Sequence, residues 1–189
     1  MGDALGYTEL TGADPFLPDL TGDSPVRLLK ADVSKVEGTF DVITIHHAFE
    51  HIPDGAAALS AMRAKLSPNG VIIVRIPLGA SYGWRRYGGY WVQLDPPRHE
   101  HLYSVDGMIA LARRVGLETR KVVHDATFYM VTGSEAVVAG MRPHKDQQTA
   151  SLATQSVFGA RKARRIAKLT NSIGTGDQAA FYFTATSLE

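Results

Sequence analysis

The 189-residue sequence contains no cysteine, which excludes disulfides, thiolate metal ligands and cysteine nucleophiles. Long hydrophobic runs are lacking too. None approaches the roughly 18 residues of a membrane-spanning helix, and the first residues do not read as a secretory signal. A cytoplasmic location without a membrane partner is therefore the expectation. An excess of either charge is also missing, since 20 Lys and Arg against 19 Asp and Glu give a formal net charge of +1. Nothing global then points to nucleic acid or an acidic surface as partner. Internal repeats and low-complexity tracts are absent as well. What is present, 44% hydrophobic and 21% charged residues, suits one soluble domain with a sizeable core. Residues 1–187 are read as a single domain, with a core over 5–125 and a helical insertion and final strand over 126–187. Leu188 and Glu189 are read as a cloning remnant.

Apolar β-rich runs alternate with helical patterns along the chain. Residues 8–13 and 26–29 form weak strands, and "FDVITIH" at 40–46 is a strong one, β-branched and nearly continuous. Residues 54–66 have helical spacing of Ala58, Leu59, Met62 and Leu66, with Asp54 as N-cap and "SPNG" as the stop. "VIIVRI" at 71–76 is a buried strand that Pro77 ends. Residues 104–115 form a helix with Ser104 as N-cap and Gly116 as stop, and 117–124 alternate as a strand. Residues 131–148 are mixed, 151–170 helical, and "AAFYFTAT" at 179–186 is a last strand. Apolar strands separated by helices imply a parallel α/β sheet covered on both faces, with 40–46 and 71–76 adjacent and fully buried. In such sheets ligands bind beyond the carboxyl ends of strands, at the topological switch point. Asp14, Asp32, His46 to His51, and residues 77–84 occupy those positions.

His47 and His51 stand four residues apart with Glu50 between them. The helical zinc motif needs His-Glu-x-x-His, which "HHAFEH" is not, and a third ligand would have to come from His99 or His101. No metal site is expected. The stretch "GWRRYGGYWVQLDPPRHEH" gathers aromatics, arginines and glycines in one irregular segment, read either as a substrate lid or as a loop anchored to the core. The basic run "RKARRIAK" is read as the solvated face of a helix whose Phe158, Ile166, Leu169 and Ile173 pack inward, so nucleic acid is not an expected partner.

Four segments, "GYTELTGADPF", "KADVSKVEGTFDVITIHHAFEHIPD", "LSPNGVIIVRIP" and "WVQLDPPRHEHLYS", taken in this order and spacing, resemble the class I S-adenosylmethionine-dependent methyltransferases. The branch with an "FEH-hydrophobic-PD" turn and a later "DPPRH" is the most similar. The resemblance spans residues 5–125. It implies a three-layer Rossmann-like sheet, mostly parallel, with an antiparallel last strand set beside 71–76. It also implies that Asp14 binds the ribose hydroxyls and Asp32 the adenine amine, with Val33 beside the adenine ring. His46, His47, Glu50 and His51 would border methyl donor and acceptor, and His99 matches the histidine of "DPPRH". For a hydroxyl or amine acceptor, His51 and His99 are the candidate bases and Glu50 the group that orients them.

One part of the family pattern has no counterpart here. The first strand and its Gly-rich loop, which hold the methionine end of the cofactor, do not precede Asp14, and Gly2 and Gly6 follow no strand. The sequence is thus read as an N-terminally shortened domain in which S-adenosylmethionine binding is weak or lost. The implied function is methyl transfer to a small-molecule acceptor, impaired in this chain. The alternative is a catalytically inactive relative serving as a partner or assembly module. The absent strand would leave a gap in the sheet, closed either by direct pairing of its neighbours or by a second copy adding a strand at the exposed edge.

Overall fold

A computed structural model describes residues 6, 9–18, 26–141 and 159–186. Two parallel three-residue strands, β1 (Thr11–Ala13) and β2 (Arg27–Leu29), form a small sheet of their own. The main sheet contains β3 (Phe40–His46), β4 (Leu66–Pro77), β5 (Leu117–His124) and β6 (Gln178–Ala185), in the order β3-β4-β6-β5. β3 and β4 are parallel, as expected. β6 lies antiparallel between β4 and β5, so the last strand sits beside 71–76 as the resemblance implies. The helices are α1 (Gly55–Ala64), α2 (Tyr82–Tyr87), α3 (Val105–Arg114), α4 (Tyr129–Val138) and α5 (Ala160–Ser172). Among the described residues no helix is long and apolar enough to cross a membrane.

The caps fall where the sequence puts them. Asp54 accepts a hydrogen bond from the Ala57 amide at 2.9 Å and opens α1, and Ser104 Oγ accepts from the Gly107 amide at 3.0 Å and opens α3. Gly116 then ends α3 at φ +74°, a conformation glycine adopts without cost. On one face of the sheet, Ile72, Val74 and Ile76 of β4 and Phe181 and Phe183 of β6 pack with Leu59 and Met62 of α1 and Met108 and Ala112 of α3. Each large side chain buried there contributes roughly 1.5–3 kcal/mol. A second cluster joins Met130 and Val131 of α4 to Ala163 of α5, with Ala126 beside them.

Several expectations need correction. β3 is not buried on both faces: it is the edge of the main sheet, and none of its residues is fully buried. Neither β1 nor β2 pairs with it among the described residues, so the gap is not closed by direct pairing. In the turn that follows β2, Val33 packs against the main core. "SPNG" does not stop a helix but lies inside β4, where the pairing with β3 shifts register between Phe40 and Val42. Of the α5 residues expected inside, Ile166 packs against α4's cluster, whereas Leu169 and Ile173 are 60% and 63% exposed. The buried side of α5 is made by Ala163, Ala167 and Thr170, small side chains that let α4 approach closely. Phe158 lies outside the described residues.

Candidate active site

The site grows from the end of β3. His46 stands in register with Arg75 of β4, and the chain then turns sharply, with His47 at φ +50°. Phe49 is fully buried in the core and anchors the turn Phe49–His51. Its insertion carries Glu50 inside, to 1% exposure, while His51 stays at the surface. The segment 91–101 closes over this turn. The amides of Glu100 and His101 both donate to the Glu50 carbonyl, at 2.9 and 3.2 Å. Trp91, 2% exposed, secures the segment by donating from Nε1 to Asp177 Oδ2 at 2.9 Å, and Gln93 donates to the same oxygen at 3.1 Å. Between the two segments lies an open cleft of about 250 Å³, lined by His47, Glu50, His51, Val92, Gln93, Asp95, Arg98, His99 and Tyr129.

Residues 3–122, more than half of the chain, match the family model of the methyltransferase domain. The chain belongs to this family. No curated protein matches it. Among solved structures, the protein bound to the Haloferax volcanii Trm112 methyltransferase activator is 14% identical, with a TM-score of 0.63 over 100% of this chain and 76% of its own. A proposed sarcosine dimethylglycine methyltransferase of Galdieria sulphuraria is also 14% identical, with a TM-score of 0.51 over 86% and 60%. The 1,6-didemethyltoxoflavin-N1-methyltransferase of Burkholderia thailandensis, solved with bound 1,6-didemethyltoxoflavin and S-adenosylhomocysteine, is 13% identical, with a TM-score of 0.53 over 96% and 63%. The chain therefore spans less than two thirds of the length of the last two. At these identities the likeness is one of fold.

Within this methyltransferase domain the polar groups of the cleft are interlocked. Arg75 donates from Nη1 to His47 Nε2 at 2.5 Å and from Nε to Asp125 Oδ2 at 2.6 Å. His47 Nδ1 then lies 3.6 Å from Glu50 Oε1, and His99 Nε2 lies 3.9 Å from the same oxygen. The His51 and His99 rings are 4.9 Å apart. His99 Nδ1 donates to the Gln93 carbonyl at 2.9 Å and His51 Nδ1 to the Arg98 carbonyl at 2.7 Å. Burial pulls His99 below the usual histidine range, against the opposing pull of Glu50, and so favours the neutral ring. His46 is lowered too, by partial burial and then by the Arg75 guanidinium. Arg98 is held by Asp95, whose backbone is at φ +40°.

The structure thus brings together His47, Glu50, His51 and His99 of the expected site residues. Asp14, Asp32, Val33 and His46 do not line this cleft. Asp14 accepts from the Phe16 amide at 2.8 Å in a tight turn. Asp32 accepts from the Ser34 amide at 2.8 Å and from its hydroxyl, and these bonds hold its carboxyl below the usual range. Both acids follow strands paired in register, since Ala13 faces Leu29 and the Asp14 amide donates to the Leu29 carbonyl. His101, the other candidate ligand, is tied through Nε2 to the Pro53 carbonyl. Gln93, Asp95, Arg98 and Tyr129 were not singled out in the sequence. "DPPRH" was the signal for two of them; Tyr129 belongs to a helix the pattern did not reveal.

Proposed function

We propose that the domain takes part in S-adenosylmethionine-dependent methyl transfer to a small-molecule acceptor seated in this cleft. The observation that carries the reading is the convergence of Glu50, His51 and His99 just beyond the carboxyl end of β3, in a chain of the methyltransferase family. Asp14 would take the ribose hydroxyls and Asp32 with Val33 the adenine, while His46 and His47 border the sulfonium. Methyl transfer from a sulfonium is an in-line displacement with a neutral leaving group, so holding nucleophile and methyl in line supplies much of the effect. A hydroxyl or amine acceptor also sheds a proton, which a neutral imidazole Nε2 accepts. His51 and His99 present that nitrogen because a carbonyl holds Nδ1–H of each, and the buried Glu50 carboxylate, 3.9 Å from His99 Nε2, would stabilise the imidazolium once the proton is taken.

A titration of the labelled chain with S-adenosylhomocysteine, followed by amide chemical shifts, tests the reading at weak affinity. Shifts should concentrate at residues 14–16, 32–35 and 46–51. Scattered shifts, or none at millimolar ligand, would refute it and favour the reading as a partner module without cofactor. That second reading is supported by Asp14 and Asp32 being engaged by their own turns.

A further inference from the structure

Glu50, His51 and His99 each offer one ligand atom, and the three atoms lie within 4.8 Å of one another. The two rings are fixed in the same way. A backbone carbonyl only accepts, so the bonds from His51 Nδ1 to Arg98 and from His99 Nδ1 to Gln93 put the proton on Nδ1 and leave the lone pair on Nε2. Metal-binding histidines are typically held by such a bond on the nitrogen away from the ion. The carboxylate supplies a second, independent observation. Glu50 is 1% exposed, and its Oε2 has no hydrogen-bond partner among the described residues. A buried carboxylate oxygen without a donor is costly and calls for an explanation. Arg75, the cation behind His47, is already engaged by Asp125, and Arg98 by Asp95.

We propose that Glu50, His51 and His99 form a binding site for a divalent transition-metal ion, open on its remaining positions to the cleft. Two imidazoles and one carboxylate with a free position suit zinc and its neighbours better than magnesium or calcium, which favour all-oxygen shells. Tetrahedral zinc with bonds of about 2.0–2.1 Å sets its donors about 3.4 Å apart. His99 Nε2 and Glu50 Oε1 stand at 3.9 Å, so small side-chain rotations close the set. The lone pairs that would take an acceptor's proton are the ones that bind the ion. With the ion present, an acceptor oxygen is acidified by coordination and loses its proton to solvent. Binding of the ion itself does not rest on the methyl-transfer reading. It departs from the sequence expectation of no metal site, which weighed His47 and His51 at helical spacing with His99 or His101 as a third ligand, and not the set of Glu50, His51 and His99.

The test uses the untagged chain, stripped by chelator and titrated with cobalt(II) alone, followed by visible absorption, and with zinc(II) alone, followed by calorimetry. One equivalent should bind, with the absorption bands of a low-coordinate cobalt centre. His51→Ala and His99→Ala should each weaken binding at least ~10-fold. Glu50→Gln should do the same; because this side chain is buried, His51→Ala, at an exposed position, carries the test if that variant unfolds. His101→Ala, whose ring is tied to Pro53, should bind as the parent does. Absence of both cobalt bands and heat would overturn the proposal. So would affinity unchanged in His51→Ala and His99→Ala, or an equal loss in His101→Ala, which would mean surface chelation. No cofactor enters the experiment, so its failure is separate from failure of the shift titration.

Discussion

Replacing Trp91 by Phe tests how the segment over the cleft is held. The indole Nε1–H donates to Asp177 Oδ2 at 2.9 Å in a site where Trp91 is 2% exposed and Asp177 is fully buried. Phenylalanine keeps most of the apolar contact but removes the donor. A hydrogen bond to a buried charged acceptor is worth roughly 1.5–3 kcal/mol. The lost ring volume leaves a small cavity that costs about 1 kcal/mol more. The expected destabilisation is therefore about 2.5–4 kcal/mol, a fall in Tm of roughly 5–15 °C for a domain of this size.

The same change has a pH signature. Burial raises the Asp177 carboxyl above its ordinary value of 3.8, while the Trp91 and Gln93 donors pull it back down. For an acid raised in the folded state, stability is greatest below the unfolded pKa and falls as pH climbs from 3.8 to the folded value, then levels off. Removing the indole donor raises the folded value further and widens that window. The deficit of Trp91→Phe should thus be larger at about pH 8 than at about pH 5. Urea unfolding followed by circular dichroism at both pH values measures it, and Trp84, then the only tryptophan, reports the local transition by fluorescence. A loss under about 1 kcal/mol, or an equal deficit at both pH values, would refute the assigned role of the Asp177 bond.

Two further predictions follow from close approaches and edges. A Cβ at Gly83 would stand 2.6 Å from Trp91 Nε1 and 3.2 Å from Met130, so Gly83→Ala should cost about 1–3 kcal/mol in urea unfolding; a neutral substitution would mean that α2 does not pack as described. The outer edge of β3 carries no strand among the described residues, and strand addition by a second copy would cover it. Light scattering should then show a dimer or larger assembly, and a strict monomer at high concentration would dismiss edge pairing between copies.

The strands of the main sheet were legible in their composition, though the depth of burial of β3 was not. "FDVITIH" and "VIIVRI" are β-branched and continuous, and α1 and α3 announce themselves through Asp54, Ser104 and Gly116. α2 and α4 were not legible. Tyr82–Tyr87 has no apolar period and forms where Ser81 caps it, accepting from the Trp84 amide at 3.2 Å, with Trp91 packed beneath Gly83. Tyr129–Val138 is rich in β-branched residues and contains Gly133, a weak helix former by propensity. It is helical because six of its residues are buried. In α5 the apolar period misleads: Leu169 and Ile173 mark the outside, and the inner face is made of alanines and a threonine. Propensity and periodicity see side chains one at a time, whereas these three helices are set by what packs against them.

The candidate site shows the same division between what is local and what is not. "HHAFEH" and "DPPRHEH" each look like a cleft turn, but some 45 residues separate Glu50 from Asp95, and no spacing rule reports that they meet. What joins them is main-chain hydrogen bonding of the Glu100 and His101 amides to the Glu50 carbonyl, while the His47 amide on the Arg75 carbonyl at 2.9 Å ties the first turn to β4 and the Arg98 amide on the Asp95 carbonyl at 3.0 Å closes the second turn on itself. His47 and Asp95 take left-handed backbone conformations, at φ +50° and +40°, which cost of order 1–3 kcal/mol each for residues other than glycine. Such conformations persist only where the surroundings over-determine them. Here each lies next to a main-chain clamp, and the two stand on opposite walls of one cleft. The backbone therefore holds Glu50 and the two imidazoles in place before any ligand arrives, so a proton, an ion or an acceptor meets donor atoms whose arrangement costs little further ordering.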